Sequence, residues 1–280
     1  EEEIKSYIDE VHAAGLECEV IESVNVHEDI KMGLPSRDRY IENYCTTIRN
    51  LAKYGVKVIV YNFMPVFDWL RTNLHTPAPD GSNSLSYRHA ELLALDPHDL
   101  HLPGWDESYS PEELRGLLAA YAGMTHEKLF ENLVCFLRGI LPACREAGIN
   151  MAIHPDDPPW DMFGLPRIIT GRESYLRLFE AVPERENGIT FCTGSLGAGR
   201  ENNLPALARE FADRICFAHL RQIRFEGERD FCECGHRTDA GSLDMLAIVE
   251  ALADGAAFRY NKRDLQNPWF VCRAHNCAIG

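Results

Sequence analysis

The sequence INMAIHPDDPP, residues 149–159, shows the architecture of the chain most clearly. It begins as a short, mostly apolar strand, His154 ends that strand, and the prolines that follow restrict the backbone. Before it, the periodicity predicts an amphipathic helix from Thr125 to Ala147, and Gly148 is a typical helix end. A helix, a glycine and a short apolar strand together form the repeating unit of a parallel sheet covered by helices.

The same unit recurs on both sides of this stretch, so the sequence predicts an α/β fold with parallel strands. Helices are predicted at residues 1–14, from Ser36 to Gly55, from Asn203 to Ala212 and from Leu243 to Ala253. The predicted strands number five: Glu17–Glu22, Val56–Tyr61, Ile149–His154, Ile189–Cys192 and Ile215–Leu220. The length of 280 residues suits a single α/β barrel.

An interruption at about residues 73–123 is rich in Pro, His, Asp and Gly, and contains one capped helix starting at Ser110. Two interpretations are open, an active-site lid and a family-specific decoration. We favour the lid, because a loop that follows a barrel strand lies on the catalytic face.

Composition excludes several classes of partner. The chain has 43 acidic and 28 basic residues, a formal charge of −15, and no run of Lys and Arg, which argues against nucleic acid and anionic membranes. No apolar stretch approaches the roughly 20 residues of a membrane span, and Glu1-Glu2-Glu3 is unlike a signal peptide, so a cytoplasmic location is predicted. The ten cysteines are scattered and are interpreted as buried free thiols.

Three predicted strands end in a residue that can bind a metal: His154, Cys192 and His219. Their separations, 38 residues (154 to 192) and 27 residues (192 to 219), are each close to one βα unit, so successive strands present them at the same rim. A lone His or Cys at such a position is more often a satisfied core residue. Three in register predict a divalent-metal site, for which ligand softness favours zinc or iron.

Polar residues beside these positions are candidates for substrate binding. Asp156 and Asp157 can orient a ligand imidazole, bind substrate hydroxyls or cap a turn. Ser195 lies in a Thr-Gly-Ser turn that suits a carboxylate or a polyol, although glycine-rich turns also occur for steric reasons. Arg221 can pair with a substrate carboxylate or form a surface ion pair.

Asn62 and Arg71 are further candidates for substrate binding at another strand end. They flank residues 63–69, FMPVFDW, whose aromatic side chains can form a pocket wall. The alternative, a hydrophobic plug beneath the insertion, has equal weight.

Residues 1–255 contain a set of long motifs: ES (22–23), HEDIK (27–31), YNFMPV (61–66), DW (68–69), RT (71–72), HPDDPP (154–159), GLPRI (164–168), FCTGS (191–195), FAHLR (217–221) and GSLDM (241–245). Together these motifs resemble the D-mannonate dehydratase family, a branch of the xylose-isomerase-like TIM-barrel superfamily. The resemblance implies a hydro-lyase that converts D-mannonate to 2-keto-3-deoxy-D-gluconate in hexuronate (glucuronate) catabolism. It also implies Mn²⁺ or Fe²⁺ as cofactor, with His154, Cys192 and His219 as metal ligands, and a small sugar acid as partner. A homodimer is the candidate assembly.

The chain also departs from this family. After the helix ending near Ala253 the family has an Arg-Pro-Asp-His-Gly motif, which carries a fourth metal ligand and an acid–base histidine, and residues 258–264 here read FRYNKRD. No catalytic acid–base residue is therefore assigned. We expect residues 1–258 to form a partial TIM barrel, with about five of eight strands and the lid-like insertion, and residues 259–280 to form an atypical tail like a frameshifted end.

Two alternatives to an active dehydratase stay open. One is a non-catalytic remnant, which the lost terminal motif favours. The other is a xylose-isomerase-like sugar isomerase or epimerase, which shares histidine and acidic ligands at strand ends. A cysteine ligand followed by Thr-Gly-Ser argues against the second alternative.

Overall fold

A computed structural model describes residues 1–95, 110–259 and 271–273. The strands are β1 (Val20–Glu22), β2 (Val58–Tyr61), β3 (Asn73–Pro77), β4 (Asn83–Tyr87), β5 (Asn150–Ile153), β6 (Asn187–Cys192), β7 (Ile215–Leu220), β8 (Gln222–Phe225), β9 (Phe231–Cys234) and β10 (Val271–Arg273). The helices are α1 (Glu2–Ala13), α2 (Glu28–Met32), α3 (Arg37–Ala52), α4 (His89–Leu93), α5 (Pro111–Ala120), α6 (His126–Ala147), α7 (Arg172–Ala181), α8 (Thr193–Ala198), α9 (Leu204–Glu210) and α10 (Met245–Arg259).

The main sheet is parallel throughout and has the strand order β1-β2-β5-β6-β7-β10. It curls into a half-barrel with helices packed outside it, which confirms the predicted incomplete α/β barrel. All five predicted strands are present, as β1, β2, β5, β6 and β7. Among the described residues a sixth parallel strand, β10, pairs with β7 and lies in the stretch predicted to be an atypical tail.

The two faces of this sheet carry different side chains, because successive residues of a strand point to opposite sides. Ile59 and Tyr61 of β2, like Met151 and Ile153 of β5, face the helices and belong to the main hydrophobic core. The alternate residues form a small second cluster on the inner face of the curl: Val58, Val60, Ala152 and Phe217. The same alternation continues to the carboxyl end of each strand. It places the next residue that points to the inner face at the rim of the sheet formed by these strand ends.

The longest helix, α6, has the boundaries that its sequence predicts. Thr125 caps its first turn by accepting a hydrogen bond from the backbone of Lys128, and Gly148 ends it with φ near 69°. Its apolar stripe packs Phe136 against Tyr44 of α3 and Tyr61 of β2. Within the described residues, no helix combines the length and apolar character needed to cross a bilayer.

A second, antiparallel sheet was not predicted. Its order is β3-β4-β9-β8, so a hairpin from the insertion at 73–123 joins a hairpin that follows β7. Tyr87 of β4 pairs with Phe231 of β9, and their rings stack with centroids 5.3 Å apart. The helix predicted at Ser110 is confirmed as α5, with its capping box. The lid interpretation stays a prediction, and residues 96–109 of the insertion lie outside the described part of the chain.

Candidate metal centre

The three predicted ligands meet at the carboxyl ends of neighbouring parallel strands. His154 directly follows β5, Cys192 is the last residue of β6, and His219 lies beside Cys192 in the register of β6 and β7. One ligand atom from each of the three residues lies within 4.8 Å of the other two. The strand spacing read from the sequence therefore does bring these side chains together, on the inner side of the curled sheet.

The His154 ring is oriented for metal binding. Its Nδ1 atom lies 2.7 Å from the carbonyl oxygen of Pro155, so the ring donates to that carbonyl. A neutral imidazole that donates from Nδ1 presents a lone pair on Nε2, the arrangement usual for metal-bound histidine. The His154 and His219 ring centroids are 5.2 Å apart. The donor set, one thiol and two imidazoles, fits a divalent transition metal.

Electrostatics favour the thiolate form of Cys192. Burial opposes ionisation, but Arg221 and His154 lower the pKa of the Cys192 thiol well below its ordinary value. For His219, burial opposes the charged form, but hydrogen bonds with Cys192 and Glu22 raise its pKa to about 9. The thiolate is the form in which cysteine binds metals.

Glu22 belongs to this site and was missed as a functional residue. It ends β1, and its Oε2 accepts a hydrogen bond from His219 Nε2 at 2.7 Å. Burial raises the pKa of Glu22, but the bond to His219 outweighs it and the pKa lies below the ordinary value. The available signal was its position: Glu22 ends a predicted parallel strand, as Cys192 does, although a carboxylate there is usually a solvated surface group.

Ser195 and Arg221 lie together beside Cys192. The Ser195 hydroxyl lies 3.3 Å from the Cys192 sulfur, and Arg221 Nη2 donates to Ser195 Oγ at 2.8 Å and to Asp157 Oδ2 at 2.6 Å. Arg221 directly follows β7, at the point where the chain passes from the parallel to the antiparallel sheet. Two predicted substrate-binding residues are therefore adjacent to the predicted ligands.

Arg71 and Asp157 are buried in an ion-pair cluster. Arg71 donates to both carboxylate oxygens of Asp157, at 2.9 and 3.0 Å, and to Glu233 Oε1 of β9 at 2.9 Å. Burial raises the pKa of Asp157, but Arg221 and Arg71 together lower it far below its ordinary value. Glu233 was not predicted to be part of the site.

The remaining candidates shape the loops around the site. Asn62 Oδ1 accepts a hydrogen bond from the Met64 amide at 3.1 Å, which closes a tight turn after β2. Asp156 Oδ2 accepts from the amides of Ile168 and Ile169 at 2.6 and 2.9 Å, and these contacts favour the turn-capping alternative. Phe63 and Phe67 are fully buried in the main core, as a hydrophobic plug requires.

Comparison with known proteins relates the chain to mannonate dehydratases. The family model for D-mannonate dehydratase (UxuA) matches residues 1–270. A mannonate dehydratase from Thermotoga maritima is 52% identical over 266 residues, which cover 90% of this chain and 74% of the relative.

Solved structures agree with the sequence relatives. The crystal structure of mannonate dehydratase from Streptococcus suis serotype 2 superposes with a TM-score of 0.82 at 44% identity, and the match covers 91% of this chain and 70% of that one. A D-psicose 3-epimerase from Clostridium cellulolyticum H10 superposes with a TM-score of 0.54 at 14% identity, covering 92% of this chain and 66% of that one. At that identity the second likeness concerns the fold alone.

Proposed function

The chain belongs to the D-mannonate dehydratase family, and on that premise we propose that His154, Cys192 and His219 bind the divalent metal ion used in the reaction. The enzyme is a hydro-lyase that removes water from D-mannonate to give 2-keto-3-deoxy-D-gluconate. Its catabolic role is proposed to be hexuronate breakdown. The cytoplasmic location and the homodimer stay predictions.

One observation supports the metal site above all others: an imidazole, a thiol and a second imidazole converge to within 4.8 Å at the ends of β5, β6 and β7. The bond from His154 to the Pro155 carbonyl adds to it, because it leaves Nε2 as the nitrogen for the metal. We propose Mn²⁺ or Fe²⁺ as the ion. Ligand softness alone also admits zinc, and the choice of Mn²⁺ or Fe²⁺ follows the family resemblance.

The bound ion would stabilise the negative charge that develops when the weakly acidic proton beside the substrate carboxylate is removed. Arg221 is proposed to bind that carboxylate. Its Nη1 atom lies 3.6 Å from Glu233 Oε1, beyond hydrogen-bonding distance, so Nη1 retains donors for an incoming anion. Ser195, which accepts a bond from Arg221, is proposed to contact a substrate hydroxyl.

The direct test is dehydration of D-mannonate with Mn²⁺ by the wild type and by Cys192→Ser and His154→Ala. We expect each substitution to lower kcat/KM by more than about 100-fold, since each removes a metal ligand. The matched control is Cys135→Ser, a partly buried free thiol of α6, which should retain wild-type activity. Wild-type turnover of an aldose or ketose, without turnover of D-mannonate, would contradict the proposal.

A further inference from the structure

Arg71, Asp157, Arg221 and Glu233 form a closed group of two guanidinium and two carboxylate side chains, which we call the four-charge cluster. We propose that Arg71 and Glu233 do not bind the substrate, and that they are positioning residues that hold Arg221 in the orientation in which it faces the substrate carboxylate. This inference rests on the proposed role of Arg221. It changes the role expected for Arg71 from the sequence.

Arg71 has no donor left for a ligand. Its side chain is 1% exposed. It makes five hydrogen bonds: Nε and Nη2 each donate to Glu233 Oε1, Nη1 and Nη2 donate to the two oxygens of Asp157, and Nη1 also donates to the Leu70 carbonyl. A guanidinium offers five N–H groups, so these contacts use its full capacity. A substrate would have to break one of them in order to bind Arg71.

Arg221 is in a different situation. Its side chain is 12% exposed, and both hydrogens of Nη2 are used, on Asp157 and Ser195. Nη1 faces Glu233 at 3.6 Å without a hydrogen bond, and Nε is buried without a hydrogen-bond partner among the described residues. Arg221 is therefore the arginine of the cluster that can still bind an anion. Its contacts with Asp157 and Glu233 restrict the direction in which Nη1 points.

The antiparallel sheet positions two of the four members of the cluster. Arg71 lies just before β3, and Glu233 lies within β9. The Arg71 guanidinium packs over the ring of Phe231, 5.0 Å from its centroid, and Phe231 stacks on Tyr87 of β4. The two hairpins thus bring Arg71 and Glu233 to Asp157 and Arg221, which belong to the loops after β5 and β7. The group carries no net charge, so loss of one member leaves a buried charge unpaired.

The test compares steady-state kinetics of Glu233→Gln, Arg221→Met and the wild-type holoenzyme with D-mannonate. Glu233→Gln should raise KM by about 10-fold or more while kcat changes less than about 3-fold, because Arg221 keeps its charge but loses the ion pair that restrains Nη1. Arg172→Met is the matched control, since Arg172 is a half-exposed arginine that pairs with Glu210 and Glu173, and it should leave both constants unchanged.

A charge-balanced variant, Arg71→Met/Glu233→Leu, covers the case in which Glu233→Gln does not fold. It removes one positive and one negative charge, and it should show the same rise in KM with a melting temperature near that of the wild type. Wild-type KM in either folded variant would overturn the positioning role. Wild-type KM in Arg221→Met would instead overturn the proposed role of Arg221 itself, so the two failures are distinguishable.

Chemical rescue gives a readout that a merely structural role would not change. Added guanidinium ion at millimolar concentration should restore part of the activity of Arg221→Ala, because Asp157 and Glu233 still form the binding place for a guanidinium. The same addition to Arg221→Ala/Glu233→Gln should restore at least about 5-fold less. Equal rescue of both variants would overturn the proposal.

Discussion

Gly194 shows how little room surrounds the arginine beside Cys192. A Cβ atom at this position would overlap Nε of Arg221. We predict that Gly194→Ala lowers the free energy of unfolding by about 1–3 kcal/mol and raises KM for D-mannonate, because Arg221 must shift. Urea unfolding and steady-state kinetics measure the two effects.

Gly116 provides the control for this substitution. It lies on the exposed side of α5, and an added Cβ would meet no atom within 4 Å among the described residues. Gly116→Ala should therefore raise the free energy of unfolding by about 0.5–1 kcal/mol, since alanine is the better helix former. If KM for D-mannonate is unchanged in Gly194→Ala, the prediction is wrong, because a shift of Arg221 would then not affect substrate binding.

Asp157 makes a pH-dependent contribution to stability. Its pKa in the folded protein lies far below the ordinary value, so its contribution is complete above the unfolded-state pKa of about 3.9 and is lost as the pH falls below it. At pH 7, Asp157→Asn should lower the free energy of unfolding by about 3 kcal/mol, because Arg71 and Arg221 lose one of the two carboxylates that they share.

The difference between Asp157→Asn and the wild type should shrink as the pH falls below about 4. Urea midpoints at pH 7, 5 and 3.5 measure this. A difference that stays constant over that range would show that the carboxylate charge of Asp157 is not what stabilises the fold.

At the scale of single residues, the sequence predicts which candidate ligands converge better than it predicts the contacts of the residues around them. His154, Cys192 and His219 were predictable, because strand ends one βα unit apart meet at one rim. The partners of Arg71 were not, since they lie 86 and 162 residues away along the chain and come from loops and a hairpin. The sequence showed an arginine at a strand end, but only the packing shows that its donors are already used.

Among the elements, α6 contributes most clearly to the core. Phe136 is fully buried, and its ring contacts those of Tyr44, Tyr61 and Phe63. Phe136→Ala should lower the free energy of unfolding by about 3–5 kcal/mol, because it removes a large side chain from a packed interior and leaves a cavity. Thermal or urea unfolding measures the loss.

Tyr7 on α1 is the comparison for Phe136, since its side chain is 74% exposed. Tyr7→Ala should change the free energy of unfolding by no more than about 0.5 kcal/mol. Similar losses in the two variants would contradict the packing described for α3 and α6.

The strands of the parallel sheet are easier to predict from the sequence than those of the antiparallel sheet. The parallel strands are runs of Val, Ile and other apolar residues buried on both faces, so β2, β5, β6 and β7 are easily recognised. The hairpin strand β3 reads NLHTP and β4 reads NSLSY, with few apolar residues to indicate a strand. β3 pairs with β4, and β4 pairs in turn with β9, a contact between distant parts of the chain that no local pattern encodes.

For the whole molecule, metal binding at the rim should stabilise the fold, because three strands contribute ligands that the unfolded chain cannot hold together. With Mn²⁺ at about 100 times its dissociation constant, the expected gain is about 2.7 kcal/mol. For a domain of this size that corresponds to a rise in Tm of roughly 5–10 °C. Differential scanning calorimetry with Mn²⁺ and with EDTA measures it, and an equal rise in Cys192→Ser would contradict a site that uses this thiol.

The most direct test of the metal site is the absorption spectrum and stoichiometry of Co²⁺ bound to the wild type and to Cys192→Ser. The account predicts one ion per chain, with a near-ultraviolet thiolate-to-metal charge-transfer band that is lost in Cys192→Ser. Binding of one Co²⁺ per chain without that band in the wild type would contradict it, because the ion would then lie away from Cys192.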